Sequence, residues 1–319
     1  MRRAPMLVPF AFLVFGCSSS ASSSVDGGVD GQTLADAAVP EAAATDAATG
    51  GCLSTVAAGD HAWWCDGLRY DVRIPKTCPP AGCGLVIDVH GATMNAKMED
   101  ANTNMRAIGE REGYVVVQPN ANGTPPNVLW NPPVDYPRVW AFVEQAIKTL
   151  PVDAKRVHMM GFSQGGRMTF TFACAHADVL ASAAPAGEVG CTAQDLAAAK
   201  RQIPLLQMHG TQDALVSFAG FAVPQRDAIV AAWGLGAPVT VSSDAQHTWT
   251  RYTNGSGATY EFLQHDYTCP PLVLRGHCYP GSMDPGTEPG QLYSFACTAP
   301  NAFAWGEAAM AFFKAHPLP

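Results

Sequence analysis

A serine with a glycine two residues away on each side is the feature with the clearest chemical potential: Gly161-Phe162-Ser163-Gln164-Gly165. The spacing fits a nucleophile elbow, in which the serine stands on a tight turn between a strand and a helix. Both glycines are needed because a Cβ at either position would clash with the neighbouring strand and helix. Free N–H groups at the start of that helix favour a developing oxyanion. The motif predicts Ser163 as a nucleophile; the alternative is an ordinary strand–turn–helix with a surface serine.

A nucleophilic serine needs a histidine base and a carboxylate that orients the base, and behind an elbow they follow in the order Ser, Asp, His. Asp213 comes shortly after an apolar run and precedes the late histidines. His277 follows the apolar run 271–276 and begins a loop rich in proline and glycine. We predict that Asp213 accepts the Nδ1–H of His277, which removes the Ser163 proton. Weaker alternatives are Asp244 and Asp266 for the acid, and His247 and His265 for the base.

The run 84–89 ends in His90-Gly91, the usual place for a second oxyanion donor upstream of a nucleophile strand. The glycine lets the loop turn back over the serine, so that the N–H of Ala92 can face the oxyanion beside the N–H of Gln164. A simple strand-ending turn is the alternative. Trp130 stands on a loop rich in proline, asparagine and glycine, where it either lines a substrate cleft or packs as a plug.

Alternating strand-like and helix-like segments position these residues. Nearly continuous apolar runs predict buried strands, and amphipathic runs predict helices. The predicted strands are Gly67 to Pro75 at a half-exposed sheet edge, Gly84 to Val89, Tyr114 to Pro119, the elbow strand before Ser163, Gln202 to Met208, and Pro271 to Gly276. The predicted helices are Met94 to Glu112, Pro137 to Leu150, Gly165 to His176, and Ala302 to Phe313. The alternation implies an α/β domain whose parallel sheet carries helices on both faces.

The N-terminal region differs in composition from the rest. Residues 1–16 combine two arginines with an apolar run, which predicts a secretory signal too short to remain as a membrane anchor. Cys17 follows in a context resembling the lipobox of bacterial lipoproteins; secretion with an unmodified Cys17 is the alternative. Residues 17–50, rich in serine, alanine and aspartate, predict a disordered tether, and residues 51–319 suit one catalytic domain. We expect an exported protein, at the outer membrane or cell surface if lipidated and otherwise periplasmic or extracellular.

Cysteine usage agrees with export, because an oxidising compartment favours disulfides. The suggested pairs are Cys52–Cys65, Cys78–Cys83, Cys174–Cys191 and Cys278–Cys297, with Cys269 left free. A formal net charge of −8 without a basic cluster argues against nucleic acid as a partner, so membrane contact is expected only through a lipid on Cys17. No histidine or cysteine spacing is typical of zinc, and we expect neither a metal nor another cofactor.

Four motifs in this order resemble the polyhydroxybutyrate depolymerase and feruloyl/acetylxylan esterase family, which is similar to carbohydrate esterase family 1. They are Val86 to Gly91, Gly161 to Gly166, His209 to Asp213, and the Gly-His-x-x-Pro-Gly turn Gly276 to Gly281. The resemblance covers about Asp71 to Pro317. It implies an α/β-hydrolase fold with a mostly parallel central sheet, the triad Ser163, Asp213 and His277, and cleavage of polyhydroxyalkanoate or of feruloyl or acetyl polysaccharide esters.

The sequence departs from that family at two places near the expected cleft. Tyr279 stands where the family usually has tryptophan, and Asp135-Tyr136-Pro137-Arg138 replaces an acidic pair. We therefore include Tyr279 with Trp130 among the cleft residues and leave the ester, small or polymeric, open. Two other functions remain open: a serine peptidase on the same fold, and a non-catalytic surface-binding lipoprotein. The oligomeric state is also left open.

Overall fold

The computed structural model describes residues 52–270 and 272–319. Its strands are β1 (Gly59–Cys65), β2 (Leu68–Ile74), β3 (Cys83–Val89), β4 (Tyr114–Asn120), β5 (Val152–Phe162), β6 (Ser182–Ala186), β7 (Leu205–Gly210), β8 (Val239–Ser243), β9 (His247–Thr253) and β10 (Thr259–His265). Its α-helices are α1 (Ala96–Thr103), α2 (Met105–Glu112), α3 (Pro132–Thr149), α4 (Gln164–Ala175), α5 (Ala193–Ala198), α6 (Val223–Ala232) and α7 (Trp305–Ala315). A π-helical turn, Phe218–Ala222, leads into α6. The predicted signal peptide, Cys17 and the tether lie outside the described residues.

The strands form one sheet in the order β1-β2-β4-β3-β5-β6-β7-β10-β9-β8. The six strands from β4 to β10 run parallel, whereas β1 and β2 at one edge and β9 and β8 at the other pair antiparallel. Parallel strands place their carboxyl ends at one edge of the sheet, where ligands bind in open α/β sheets. The predicted mostly parallel α/β-hydrolase sheet is confirmed.

Alternating side chains of the central strands feed two separate cores. On β3, Leu85 and Ile87 join one core and Val86 joins the other. The first core is covered by α3, α4, α5 and α6 and the second by α1, α2 and α7. Both faces of the central strands are therefore buried, which explains their continuous apolar runs.

The predicted helix Met94 to Glu112 is wrong in its continuity. Asn104 has φ 54° and separates α1 from α2. Asparagine tolerates this left-handed conformation better than most residues, because its short polar side chain can hydrogen-bond locally. The break fixes α1 as a short, separate helix beside the carboxyl end of β3.

The predicted strand Pro271 to Gly276 is also wrong. Residues 272–274 form a turn, and Arg275 has φ 46° and makes one isolated antiparallel bridge to Asp213. The last parallel strand is β10, which pairs with β7 and then with the antiparallel strand β9. Two smaller corrections concern β2, which is covered by β1 rather than at the sheet edge, and α3, which begins at Pro132 rather than Pro137.

The disulfide pairing suggested by spacing is confirmed. The structure contains the pairs Cys52–Cys65, Cys78–Cys83, Cys174–Cys191 and Cys278–Cys297, and Cys269 is a free, buried cysteine. The Cys278–Cys297 bond ties down the loop that follows His277. Within the described residues, no helix combines the length and the apolar character needed to cross a membrane.

Candidate active site

Ser163 lies between the end of β5 and the start of α4, with φ 52° and ψ −121°. Such a positive φ is strained for a residue with a side chain, and it turns the serine out of the strand. The flanking glycines are required by space: a Cβ on Gly161 would lie 2.6 Å from the oxygen of Gly165, and a Cβ on Gly165 would lie 1.9 Å from the oxygen of Val89. The local geometry is that of a nucleophile elbow.

Asp213 and His277 meet in the loops that follow β7 and β10. Nδ1 of His277 lies 2.7 Å from Oδ2 of Asp213, and both side chains are almost completely buried. Oδ1 of Asp213 accepts the N–H groups of Leu215 at 2.9 Å and Val216 at 2.8 Å. Burial raises the pKa of Asp213, but these hydrogen bonds and the adjacent imidazoles outweigh it and lower that pKa below its ordinary value. The carboxylate is therefore ionised and holds the histidine.

His277 also contacts the nucleophile elbow. Its ring packs on Phe162, the residue before Ser163, with 4.5 Å between ring centroids. The N–H of Ser163 donates to the oxygen of Ala186 at 2.9 Å, and a Cβ on the next residue, Gly187, would lie 3.2 Å from Cε1 of His277. The structure thus gathers Ser163, His277 and Asp213 at the carboxyl edge of the sheet.

Of the two predicted oxyanion donors, Gln164 directly follows the serine, and Ala92 follows a glycine that lies close to it. Gln164 is the first residue of α4, so its N–H is one of the four that the helix leaves without an intrahelical acceptor. Ala92 follows Gly91, where an added Cβ would lie 3.2 Å from Cβ of Ser163. The loop that carries Ala92 is tied down, because the N–H of Thr93 donates to the oxygen of Val128 at 2.8 Å.

Trp130 packs as a plug beneath this loop rather than as an open cleft wall. Its side chain is 4 % exposed, and its Nε1 donates to the oxygen of His90 at 2.9 Å. Its backbone N–H donates to Oε1 of Gln164 at 3.0 Å, which links the loop to the elbow. Burial lowers the pKa of His90 to about 4, so this histidine is a neutral structural partner.

The assignment of Tyr279 to the cleft is wrong. The side chain is fully buried, and its hydroxyl donates to Oε2 of Glu99 at 2.5 Å. Its ring packs on Phe162 with 4.1 Å between centroids. Tyr279 therefore belongs to the interior beneath His277, where no substrate reaches it.

The alternative acid and base residues form contacts of their own. Asp244 and His247 pair with each other at 2.9 Å where β8 meets β9. Asp266 accepts a hydrogen bond from Thr211, and His265 is buried with its pKa lowered to about 3 by burial. The structure therefore favours Asp213 and His277 over these residues.

Sequence reasoning missed the support behind Asp213. Nε2 of His209, at the end of β7, donates to the oxygen of Val216 at 2.8 Å. The same Nε2 lies 3.5 Å from Oδ2 of Asp213, which the motif His209 to Asp213 could have suggested. The hydrogen bonds that Oδ1 of Asp213 accepts from the N–H groups of Leu215 and Val216 had no signal in the sequence, because they depend on how the loop turns.

Comparison with known proteins agrees with this fold. Residues 138–262 match the dienelactone hydrolase family. A bifunctional acetylxylan esterase/xylanase of Neocallimastix patriciarum is 29% identical over 166 residues, which are 50% of this chain and 24% of that protein. Feruloyl esterase B of Piromyces equi is 28% identical over 147 residues, which are 43% of this chain and 27% of that protein. The chain thus spans about a quarter of the length of these curated relatives.

Among solved structures, an acetyl xylan esterase from Aspergillus awamori aligns with a TM-score of 0.52 at 15% identity, over 62% of this chain and 87% of that one. At this identity the likeness concerns the fold. The resemblance to acetylxylan and feruloyl esterases that the four motifs predicted is confirmed. The link to polyhydroxybutyrate depolymerases stays a prediction.

Proposed function

We propose that this protein is an exported serine hydrolase that cleaves carboxylic esters through an acyl-enzyme on Ser163. The observation that carries the proposal is the strained elbow at Ser163, with a buried His277–Asp213 pair packed on the residue before the serine. Acyl transfer by a serine requires a histidine base near the nucleophile and an ionised carboxylate that orients this base.

In this mechanism His277 removes the Ser163 proton as Oγ attacks the ester carbonyl. The N–H groups of Ala92 and Gln164 hold the resulting oxyanion. His277 then gives its proton to the departing alkoxide, so the alcohol leaves and an acyl-serine ester remains. Water repeats the sequence with His277 as base, releasing the carboxylic acid and restoring the serine. Asp213 keeps the imidazole in one tautomer throughout and stabilises its protonated form.

The relatives support an ester of plant-wall polysaccharide as the substrate. Two of them are named for acetylxylan and feruloyl ester hydrolysis, and each matches only part of its length to this chain. We propose acetyl or feruloyl polysaccharide esters as the first class to test and polyhydroxyalkanoate as the second. The four disulfides support export, and lipidation of Cys17 is the proposed route to a membrane or cell surface.

A fluorophosphonate probe tests the nucleophile without knowledge of the substrate. We expect one covalent adduct on the exported protein by intact mass, lost in Ser163→Ala and in His277→Ala. Ser243→Ala, an exposed serine on β8, is the matched control and should label like the parent. A folded parent that takes no adduct would overturn the hydrolase proposal and favour a non-catalytic binding protein.

A substrate panel then separates ester from peptide chemistry. Methyl ferulate, acetylated xylan, polyhydroxybutyrate, short-chain esters and a peptide amide would be compared with the parent and Ser163→Ala. We expect turnover of at least one ester that Ser163→Ala lacks. Cleavage of the peptide alone would replace the esterase proposal with a serine peptidase.

A further inference from the structure

A second polar cluster lies beneath the loop that carries His277 and has no part in the mechanism above. Asp88 on β3 and Glu99 on α1 are both fully buried. Oδ2 of Asp88 accepts hydrogen bonds from Oγ1 of Thr103 and Nε2 of Gln118, each at 2.8 Å. Oε2 of Glu99 accepts the hydroxyl of Tyr279 at 2.5 Å. Each carboxyl group thus has one oxygen supplied with donors.

The other two oxygens have a shared explanation. Oδ1 of Asp88 and Oε1 of Glu99 are buried and have no hydrogen-bond partner among the described residues. The two residues are neighbours: Oγ1 of Thr103 lies 2.8 Å from Oδ2 of Asp88 and 3.1 Å from the backbone oxygen of Glu99, and each carboxyl group shifts the pKa of the other. Two ionised carboxylates can only accept, so a hydrogen bond between these groups needs a proton on one of them. Burial, with the Asp88 charge beside it, raises the pKa of Glu99 well above its ordinary value. Glu99 is therefore the group that carries the proton and donates it to Asp88.

Tyr279 connects this pair to the candidate active site. It stands two residues after His277, and both rings pack on Phe162, with centroid distances of 4.1 Å for Tyr279 and 4.5 Å for His277. The backbone of Tyr279 is fixed by its N–H, which donates to the oxygen of Phe295 at 2.8 Å. Displacement of the Tyr279 ring would therefore remove one of the two rings that hold Phe162, the ring on which His277 packs.

We propose that Asp88 and Glu99 share one proton and that this pair, acting through the Tyr279 hydroxyl, is a positioning device for His277. The inference rests on the proposed function of Ser163. With the proton in place, the chain from Tyr279 to Glu99 to Asp88 pairs every donor with an acceptor. Without it, two carboxylates face each other in the core, and their repulsion separates them and releases Tyr279.

Other charged groups face the cluster from three elements. Asp100 on α1 accepts the N–H of Arg106 at 2.9 Å, and Arg106 on α2 donates through Nε to Gln118 at 2.7 Å. Asp284, in the loop after His277, lies 3.4 Å from Nδ2 of Asn102. Since Arg106 reaches Asp88 only through Gln118, it does not replace the shared proton.

The test measures the fluorophosphonate labelling rate of Ser163 against pH, in the parent and in Glu99→Gln, Tyr279→Phe and Tyr293→Phe. Glutamine can donate to Asp88 and accept from Tyr279, as a protonated glutamic acid does. We expect Glu99→Gln to match the parent rate within about twofold at neutral pH and to keep that rate at alkaline pH where the parent declines. Tyr279→Phe should label about tenfold more slowly, because a small displacement of a catalytic group costs at least this much. Tyr293→Phe, a partly exposed tyrosine, should match the parent.

Three results would overturn the inference while leaving the proposed function intact. They are a tenfold slower Glu99→Gln at neutral pH, the same alkaline decline in Glu99→Gln and the parent, or a Tyr279→Phe that is folded and labels at the parent rate. If Tyr279→Phe does not fold, the pH profile of Glu99→Gln still decides the inference. A parent that does not label at all would instead contradict the proposed function.

Discussion

Two buried acidic clusters beside the same histidine loop keep their carboxyl groups in opposite states. Asp213 accepts two backbone N–H groups and an imidazole, and its pKa lies below the ordinary value despite burial. Glu99 accepts one tyrosine hydroxyl and faces another carboxyl group, and its pKa lies well above the ordinary value. The pKa of Asp88 is also raised, to about 6: burial raises it, and hydrogen bonds from Gln118, Thr103 and Glu99 oppose part of that rise.

The difference shows that burial alone does not decide whether an internal carboxyl group is charged. Each cluster is removed from water, so desolvation favours the neutral acid in both. The number and charge of the donors then decide the outcome. The cluster at Asp213 has enough donors to keep a charge that can orient a base, whereas the pair at Glu99 has too few and retains a proton instead. In the proposed mechanism the first cluster serves the chemistry, and in the proposed inference the second supports the packing beneath it.

Asp213→Asn tests the charged cluster and should have the largest effect. An amide cannot provide the ionised acceptor that holds the Nδ1–H of His277, so the imidazole loses its tautomer and orientation. We expect fluorophosphonate labelling to slow by about 10³- to 10⁴-fold with the fold retained. Asp266→Asn is the matched control, since Asp266 is exposed and accepts from Thr211. Equal loss in both variants, or none in Asp213→Asn, would contradict the role given to Asp213.

Asp88→Asn tests how far the second cluster depends on its one negative charge. The amide nitrogen would face at least one of the donors from Thr103, Gln118 and Glu99, leaving buried groups unpaired. We expect a loss of about 2–4 kcal/mol in the free energy of unfolding, measured with urea.

Asp178→Asn is the control for that experiment. Its carboxylate pairs with Lys200 at 2.5 Å on the surface, where such pairs contribute about 0–1 kcal/mol. A loss in Asp88→Asn no larger than in Asp178→Asn would mean that the buried pair is not held by charge-assisted hydrogen bonds.

Glu99→Gln gives the pH dependence that distinguishes the clusters. Because the folded pKa of Glu99 is raised above the ordinary 4.5, its contribution to stability is fully present below pH 4.5 and is lost as pH rises through the folded pKa. Stability of the parent relative to Glu99→Gln should therefore fall by up to about 1.4 kcal/mol per pH unit above pH 5, in urea unfolding from pH 5 to 8. Glutamine does not titrate, so this dependence is absent from the variant.

Glu110→Gln provides the opposite case. Burial raises the pKa of Glu110, but hydrogen bonds from Lys76 and Arg73 lower it by more than burial raises it, so the net pKa lies below the ordinary 4.5. The carboxylate is therefore ionised above pH 5 in both the folded and the unfolded state. The stability difference for Glu110→Gln should be flat from pH 5 to 8. A flat difference for Glu99→Gln as well would mean that Glu99 is already ionised in the folded protein.

The sequence predicted the charged cluster and missed the protonated one for a physical reason. Ser163, Asp213 and His277 each follow the end of a strand-like run or a glycine-rich motif, which carries a local signature. Glu99 is one of several acids in a helix-like segment, and its partner Tyr279 is 180 residues away in the chain. Helical periodicity does not distinguish an acid that faces the core from one that faces water when the residue has a distant partner.

The strand errors have a similar origin. Apolar composition predicted a strand at 271–276, but Leu272 and Val273 are exposed in a turn, and Arg275 after them has φ 46°. β10 carries glutamate and glutamine among its aromatic residues, so its sequence did not predict a buried strand. Glu261 is nevertheless buried, because Arg251 on the neighbouring strand β9 pairs with it at 2.5 Å. Local apolarity identified β3, β4, β5 and β7 but missed the short, alanine-rich central strand β6. It also failed at β10, where a buried polar residue has a cross-strand partner.

His209→Gln asks whether the charged cluster needs its second imidazole, and we expect the smallest effect. Burial lowers the pKa of His209, and its electrostatic effect on the pKa of Asp213 is smaller than that of His277. Glutamine can still donate to the oxygen of Val216, and Asp213 keeps His277 and two N–H groups. We expect labelling within about threefold of the parent and a loss of about 1 kcal/mol in unfolding free energy. His316→Gln, beyond the end of α7, is the control; a tenfold or greater slowing in His209→Gln alone would place that imidazole among the groups that orient His277.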